Sequence, residues 1–258
     1  MSVDDVTAVA GALTFTVSPD FDVRHLPGWY VVNTWLQRQS AQPVALQTFE
    51  DFAALHRAVD EDRIDLIYAN AFDAARLVRD RGFIALARPH GRADEAVIAV
   101  TSASRYQRVE DLPRGVRIAA TDNPEVRMMS MLLLEPADLD VDQAAIEYHP
   151  NLVMVAKALL YDEAEIGFFL AATFDELSSA VRSQLRVLVR SEIFVISHLF
   201  LVHPRLAPLA NAFRHCLMMM DTDVKGIAAL DDVGIRRWEP VEQEEVEFMI
   251  DLMHALQD

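Results

Sequence analysis

Polar side chains that could bind a small molecule follow several short apolar runs of the chain. They supply hydroxyl, amide, carboxylate and imidazole groups, which bind ligands through hydrogen bonds and charge. In α/β proteins, ligands bind at the carboxyl ends of strands, where turns and helix N-termini meet. That rule selects Ser18, Asn70, Asn123, Glu125 and His149, together with Phe168 at the end of a further run and His198 on the last one.

The sequence carries no motif for nucleophilic, redox or nucleotide-binding chemistry. It has no G-x-S-x-G, no C-x-x-C and no H-E-x-x-H, and its eight glycines form no phosphate-binding loop. We therefore expect the chain to bind a small molecule, whose identity the sequence does not give, without transforming it. We expect neither a cofactor nor a metal at the site.

Composition excludes two classes of partner. The formal net charge is −17 over 258 residues, whereas nucleic acids and anionic membrane surfaces both select a basic footprint. No apolar run reaches the length of a membrane span. The chain is therefore expected neither to bind nucleic acid nor to insert into a membrane.

The composition of the first residues bears on the cellular compartment of the protein. The apolar segment Val6–Val17 is preceded by Asp4 and Asp5 rather than by lysine or arginine, unlike the basic start of a secretory signal. Cys216 is the single cysteine, so no disulfide can form within the chain. These features predict a cytoplasmic protein, or a periplasmic one only if a leader has been removed.

The segment Ile64–Ser102 organises the predicted fold. An apolar run, Ile64–Ala69, ends at the turn residue Asn70, and helical spacing follows over Phe72–Arg79. Gly82 ends that helix, and a second apolar run begins at once. Strand, helix and strand in so few residues indicate a βα unit that feeds a parallel sheet. A third run, Ala96–Val100, is predicted to leave one sheet and enter another.

Elements of the same two kinds alternate along the rest of the chain. Strands are predicted at Leu13–Val17, Val44–Phe49, Phe83–Ala87, Val116–Ala120, Ile146–His149, Ile166–Phe169, Leu185–Val189 and Val195–Val202. Helices are predicted at Pro27–Gln39, Glu50–Asp60, Asn123–Leu134, Asn151–Tyr161, Thr173–Val181, Pro204–Met220 and Glu242–Gln257. Asn123 and Pro124 suit the N-cap and first positions of their helix.

This order of elements resembles that of the phosphate-, phosphite- and phosphonate-type solute-binding proteins of ABC transporters, which have the type II periplasmic-binding-protein fold. The segment Val109–Ala119, VEDLPRGVRIA, carries the clearest local match. The resemblance implies a two-lobed α/β protein with a central cleft and two crossing segments, near residues 96–102 and 194–202. Lobe 1 would comprise residues 1–97 and 200–258, and lobe 2 would comprise residues 98–199.

The resemblance also implies an anion site that this chain has altered. The family's phosphonate binders hold the oxyanion with a Ser-Thr-Ser cluster at the helix N-terminus that here reads Asn123-Pro124-Glu125. Pro124 has no N–H to donate, and Glu125 adds a negative charge at the positive end of the helix. The family comparison further implies ligand contacts from Asn70 and Phe72 in lobe 1 and from His149 in lobe 2.

Three interpretations of function remain open on the sequence alone. A cytosolic sensor or transport-accessory binding protein is the first, because the resemblance is to solute receptors. An enzyme on the same fold is the second, and it would require an acid–base pair with perturbed pKa values in the site. A protein-interaction module is the third, with a protein partner and with Phe168 and Phe169 filling the site.

Overall fold

The computed structural model describes residues 11–21, 23–137, 139, 145–194 and 196–255, and the chain divides into two compact α/β units. Of the described residues, those up to Arg92 and the segment Ser197–Met253 form unit 1. Those between Ala93 and Ile196, together with the last two, His254 and Ala255, form unit 2. Among the described residues, no helix is both long enough and apolar enough to cross a membrane.

Unit 1 is built on a six-stranded mixed sheet. Its strands are β1 (Leu13–Val17), β2 (Val44–Leu46), β3 (Leu66–Ala69), β4 (Ile84–Pro89), β10 (Leu199–Val202) and β11 (Trp238–Pro240), and their spatial order is β11-β4-β10-β3-β1-β2. β1 pairs in parallel with β2 and β3. β10 runs antiparallel between β3 and β4, so its first residue lies beside the last residue of β3.

Six helices belong to unit 1. They are α1 (Leu26–Ser40), α2 (Phe52–Asp60), α3 (Ala71–Arg81), α8 (Ala210–Met218), α9 (Val224–Asp232) and α10 (Gln243–Ala255). An aromatic core of Phe15, Trp29, Tyr68, Phe200 and Trp238 lies under the sheet, and each of these side chains is buried. Close approach of α1 to α9 depends on Gly28, because a Cβ there would lie 2.7 Å from the Cβ of Asp232.

Unit 2 is built on a five-stranded sheet with helices on both faces. Its strands are β5 (Ala96–Thr101), β6 (Arg117–Ala120), β7 (Ala145–Tyr148), β8 (Ile166–Leu170) and β9 (Leu185–Arg190), in the order β7-β6-β8-β5-β9. Its helices are α4 (Pro124–Leu134), α5 (Leu152–Leu160), α6 (Ala171–Asp175) and α7 (Ser179–Arg182). β6 pairs in parallel with β7 and β8, and β5 is antiparallel to β8 and β9.

Local signals predicted the helix ends well. The side chain of Asn70 accepts a hydrogen bond from the Asp73 N–H at the start of α3, and Gly82 ends the helix at φ 67°. Asn123 caps α4 as predicted, with Pro124 as the first helical residue. These caps are strong because each satisfies N–H groups that the helix itself leaves without a partner.

Several predicted elements were wrong in extent. The helix predicted over Thr173–Val181 is two short helices, α6 and α7, because Ser178 caps a new helix. The last crossing strand begins at Leu199 rather than at residue 195, and β5 pairs with β8 and β9 of unit 2. The helix predicted over Pro204–Met220 begins as a 3-10 helix that contains Pro208, and it becomes α-helical only at α8. The elements α9 and β11 had no counterpart in the prediction.

Glu95 holds the segment that leaves β9. One carboxylate oxygen accepts hydrogen bonds from the N–H groups of Ile193 and Phe194 at 2.9 and 2.7 Å, and the other accepts one from the Ser191 hydroxyl. Phe194 has a left-handed backbone at φ 60°, which costs energy in a bulky residue. The three bonds from Glu95 therefore fix a conformation that the segment would not adopt alone.

Candidate ligand site

One edge of the unit 1 sheet collects polar residues from three strands. β1 and β3 are parallel, so the residues that follow them, Ser18 and Asn70, come to the same edge. β10 is antiparallel to β3, with Leu199 opposite Ala69, and the residue that precedes it, His198, therefore reaches this edge as well. The structure thus brings together three of the side chains that the sequence selected.

Hydrogen bonds join these residues into a network through Asp20. The Asn70 side-chain amide donates to Asp20 Oδ2 at 3.2 Å, and His198 Nε2 lies 3.4 Å from Asp20 Oδ1. The backbone N–H of Asn70 donates to the Ser18 hydroxyl at 3.1 Å. We call Ser18, Asp20, Asn70 and His198 the unit 1 site.

Asp20 carries the negative charge of the unit 1 site. Its side chain is 6% exposed, and this burial works to raise the pKa of the carboxyl group. The neighbouring His198 and the hydrogen bonds from His198 and Asn70 outweigh burial, so the net effect is a lowered pKa. Asp20 is therefore ionised at neutral pH, and a ligand that reaches it meets a fixed negative charge.

Aromatic rings lie against the same site. The rings of Tyr68 and His198 are tilted by 31° with their centroids 5.0 Å apart. Trp29 and Trp238 contact Tyr68 at centroid distances of 5.0 and 5.6 Å. Packing of the Tyr68 ring against His198 and the two tryptophans restricts how far His198 can move from Asp20. Phe72, selected as a ligand contact, is half-buried on the first turn of α3.

A second polar edge is found in unit 2. The parallel pair β6 and β7 ends beside Asn123 and His149, and the His149 N–H donates to the Ala120 carbonyl at 2.8 Å. β5 is antiparallel to β8, so Asp94, which precedes β5, comes to this edge also. Carboxylate oxygens of Asp94 and Glu125 lie within 4.8 Å of each other. The two side chains are 3% and 1% exposed.

The backbone N–H groups at the N-terminus of α4, which could bind an oxyanion, are engaged within the segment. Pro124 has no N–H, and the Asn123 side chain accepts hydrogen bonds from the N–H groups of Glu125 and Val126 at 2.9 and 3.1 Å. The fourth position, Arg127, donates its N–H to the Asn123 carbonyl at 3.1 Å. All four of these positions are therefore engaged in hydrogen bonds within the segment or lack a donor.

The remaining selected residues differ in surroundings. His149 Nε2 is buried and has no hydrogen-bond partner among the described residues, so a water molecule or a ligand atom is needed to satisfy it. Phe168 is fully buried in the core beside α4, and Phe169 is fully buried on the other face of the sheet. Both rings therefore pack inside unit 2 rather than at its polar edge.

Asp20 and Asp94 are site residues that the sequence analysis missed. Asp20 lies three residues past the end of β1. Asp94 precedes β5, and its position at the edge follows from an antiparallel pairing that local patterns do not reveal. An acidic residue within three positions of a strand end would have been the signal for both.

The chain matches a known protein family over most of its length. Residues 15–246 match the family model described as ABC transporter, phosphonate, periplasmic substrate-binding protein. No curated protein matches the chain.

Solved structures share the fold at low sequence identity. PhnD1 from Prochlorococcus marinus (MIT 9301), in complex with methylphosphonate, is similar with a TM-score of 0.82 at 12% identity, over 95% of this chain and 98% of that one. XAC2383 from Xanthomonas citri, bound to ATP, is similar with a TM-score of 0.78 at 14% identity, over 96% and 99%. The aliphatic sulphonate binding protein SsuA from Escherichia coli is similar with a TM-score of 0.66 at 14% identity, over 96% and 94%.

Replacing Asp20 should change the acid stability of the protein. Because the folded pKa of Asp20 is lowered, its ionised form adds stability above the unfolded value, near 3.8, and that stability is lost as pH falls through the folded pKa. Asp20→Asn should therefore flatten the decline of the unfolding free energy below about pH 5. Urea unfolding across pH measures it, and Asp231→Asn, at an exposed position, is the control. An unchanged acid slope in Asp20→Asn would contradict the lowered pKa of Asp20.

Proposed function

The chain belongs to the phosphonate-binding family of ABC-transporter periplasmic substrate-binding proteins, and we propose that it binds a small solute whose chemistry differs from that of a simple phosphonate. Membership extends over residues 15–246 and agrees with the resemblance drawn from the order of its strands and helices. The proposal concerns what this chain binds and how its sites are built for it.

The observation that carries the proposal is the unit 1 site. Four polar side chains from three segments converge at the ends of three strands, and hydrogen bonds link them. Such a set, prearranged by the scaffold, spares the ligand the cost of ordering it. The buried His149 Nε2 in unit 2 supports the same proposal, since it is a polar atom that still needs a partner.

Charge argues against a doubly charged anion as ligand. Asp20 in unit 1 is ionised and buried. In unit 2 the α4 N-terminus has engaged its N–H groups internally and carries the buried Glu125. An ionised Glu125 repels a phosphonate by about 4 kcal/mol at a separation near 4 Å and an effective dielectric constant of 20, whereas the charge of His198, which lowers the pKa of Asp20, offsets part of the repulsion by Asp20. A neutral or cation-bearing solute avoids this cost.

The two other interpretations gain little support. An enzyme would need a base whose pKa lies near neutral, whereas the pKa of Asp20 is lowered from its ordinary value. A filled site had rested on Phe168 and Phe169, and both rings lie in the core of unit 2. We therefore propose a solute-binding role, as a sensor or as an accessory to a transporter, in preference to catalysis or protein docking.

Protein purified from its own host should retain a small molecule. We expect native mass spectrometry to find a mass above that of the chain, and Asn70→Ala to lose it, because the Asn70 side chain donates the hydrogen bond that holds Asp20. Asp223→Ala removes the N-cap of α9 and controls for the loss of about 1 kcal/mol that a missing cap causes. If Asn70→Ala retained the ligand as well as Asp223→Ala does, the unit 1 site would not be the binding site.

Simple phosphonates should bind weakly or not at all. Titration calorimetry with methylphosphonate and inorganic phosphate at neutral pH should give no micromolar affinity. Glu125→Ser alone should recover little, because Pro124 still lacks a donor, while the double change Pro124→Ser and Glu125→Ser should recover more. Micromolar binding by the unmodified chain would refute the altered anion site.

The cellular compartment of the protein is a prediction. The composition of the first residues predicts a cytoplasmic protein, whereas the family description names the periplasm. Fractionation of the native host, with an antibody against the chain and marker proteins for each compartment, decides between the two. Recovery of a processed chain in the periplasmic fraction would contradict the cytoplasmic prediction.

A further inference from the structure

In unit 1, an ion pair between His56 and Asp73 joins α2 to α3. His56 Nε2 lies 2.7 Å from Asp73 Oδ1. The Asp73 side chain is 3% exposed and that of His56 is 28% exposed. The second oxygen of Asp73 is buried and has no hydrogen-bond partner among the described residues, so its charge depends on His56 for compensation.

The same aspartate is bonded to the site through its backbone. The Asp73 N–H donates to Asn70 Oδ1 at 2.8 Å, and the amide nitrogen of that side chain donates to Asp20 Oδ2 at 3.2 Å. His198 lies on the other side of Asp20. A continuous series of polar contacts therefore runs from His56, at the surface of α2, to His198 at the edge of the sheet.

The Asn70 side chain can form its hydrogen bonds with Asp73 and Asp20 in one orientation only. Its carbonyl oxygen caps α3 and its amide nitrogen holds Asp20, so a flip of the side chain would place a donor against a donor and an acceptor against an acceptor. Its orientation follows from where the first turn of α3 lies, and that turn is held to α2 by the pair of His56 and Asp73.

We propose that His56 and Asp73 are positioning residues that hold Asn70 in its ligand-binding orientation and make that hold sensitive to pH. The proposal rests on the unit 1 site as the proposed binding site, but its test requires no ligand. Protonated His56 anchors the first turn of α3 through a charged hydrogen bond, and loss of the proton weakens the anchor.

The charges around His56 fix the direction of the effect. Asp73 and Arg76 face it from α3, and Asp60 lies on its own helix. The hydrogen bond with Asp73 raises the pKa of His56, burial lowers it, the Asp73 charge raises it, Arg76 lowers it and Asp60 raises it, with a net increase. Because the folded pKa is raised, the stabilisation is fully present below the unfolded value and is lost as pH rises through the folded value.

Hydrogen exchange of the α3 cap tests the proposal. The protection of the Asp73 N–H is compared with that of the Met154 N–H, which Asn151 caps in the same way at 3.0 Å on α5 and whose cap forms no histidine–carboxylate ion pair with the described residues. The ratio cancels the ordinary dependence of exchange on pH. It should fall as pH rises through the His56 titration, followed by NMR on the same sample. Linkage sets the size, about tenfold for each pH unit by which the closed cap raises the pKa of His56.

Three variants decide the outcome. His56→Gln should make the ratio independent of pH, and Asp73→Asn should lower the pKa of His56 and abolish the dependence. His215→Gln, an exposed histidine on α8, should leave it intact. A flat ratio in the unmodified chain, or a dependence that survives in His56→Gln, overturns the proposal. Neither result bears on whether the unit 1 site binds a solute, which the retained-ligand experiment tests separately.

Discussion

The pairing of β10 between β3 and β4 is the interaction on which the unit 1 site depends. Buried strands must satisfy their backbone groups in the ladder, and β10 does so antiparallel to both neighbours. Its direction places the residue before the strand, His198, beside the residue after β3, Asn70. β5 plays the same part in unit 2, where its antiparallel pairing with β8 brings Asp94 to the edge where β6 ends. In each unit, a strand of reversed direction adds a charged or ionisable group to a parallel edge.

Asn70 ties the stability of the scaffold to the geometry of the site. The same side chain begins α3 and orients Asp20, while its backbone holds Ser18. A residue that only capped the helix could be serine, threonine or aspartate. Serine and threonine carry only a hydroxyl, and an aspartate would place a second carboxylate against Asp20. The requirement for a donor and an acceptor on one short side chain therefore selects asparagine.

Sequence patterns predicted the order of elements and the fold, because caps and apolar runs are local signals. Asn70, Gly82, Asn123 and Pro124 mark helix ends through contacts with residues a few positions away. Asp94 could not be placed so, because its position comes from a strand pairing between distant segments. Phe168 was misleading for a related reason. Every residue of β8 is buried, so its sequence shows no alternation that would separate a core ring from one at the edge.

The N-terminus of α4 is capped by residues of its own segment. A helix end that is open to a ligand leaves its first N–H groups to water or to the bound anion. Here Asn123 and Pro124 remove that need, and the cap is satisfied whether or not a ligand is present. A Glu125 side chain that is 1% exposed is then tolerated at the positive end of the helix, where the dipole favours its charge. Structures with 12–14% identity keep this fold, because strand pairing and core packing determine the scaffold while a few residues at strand ends determine what it binds.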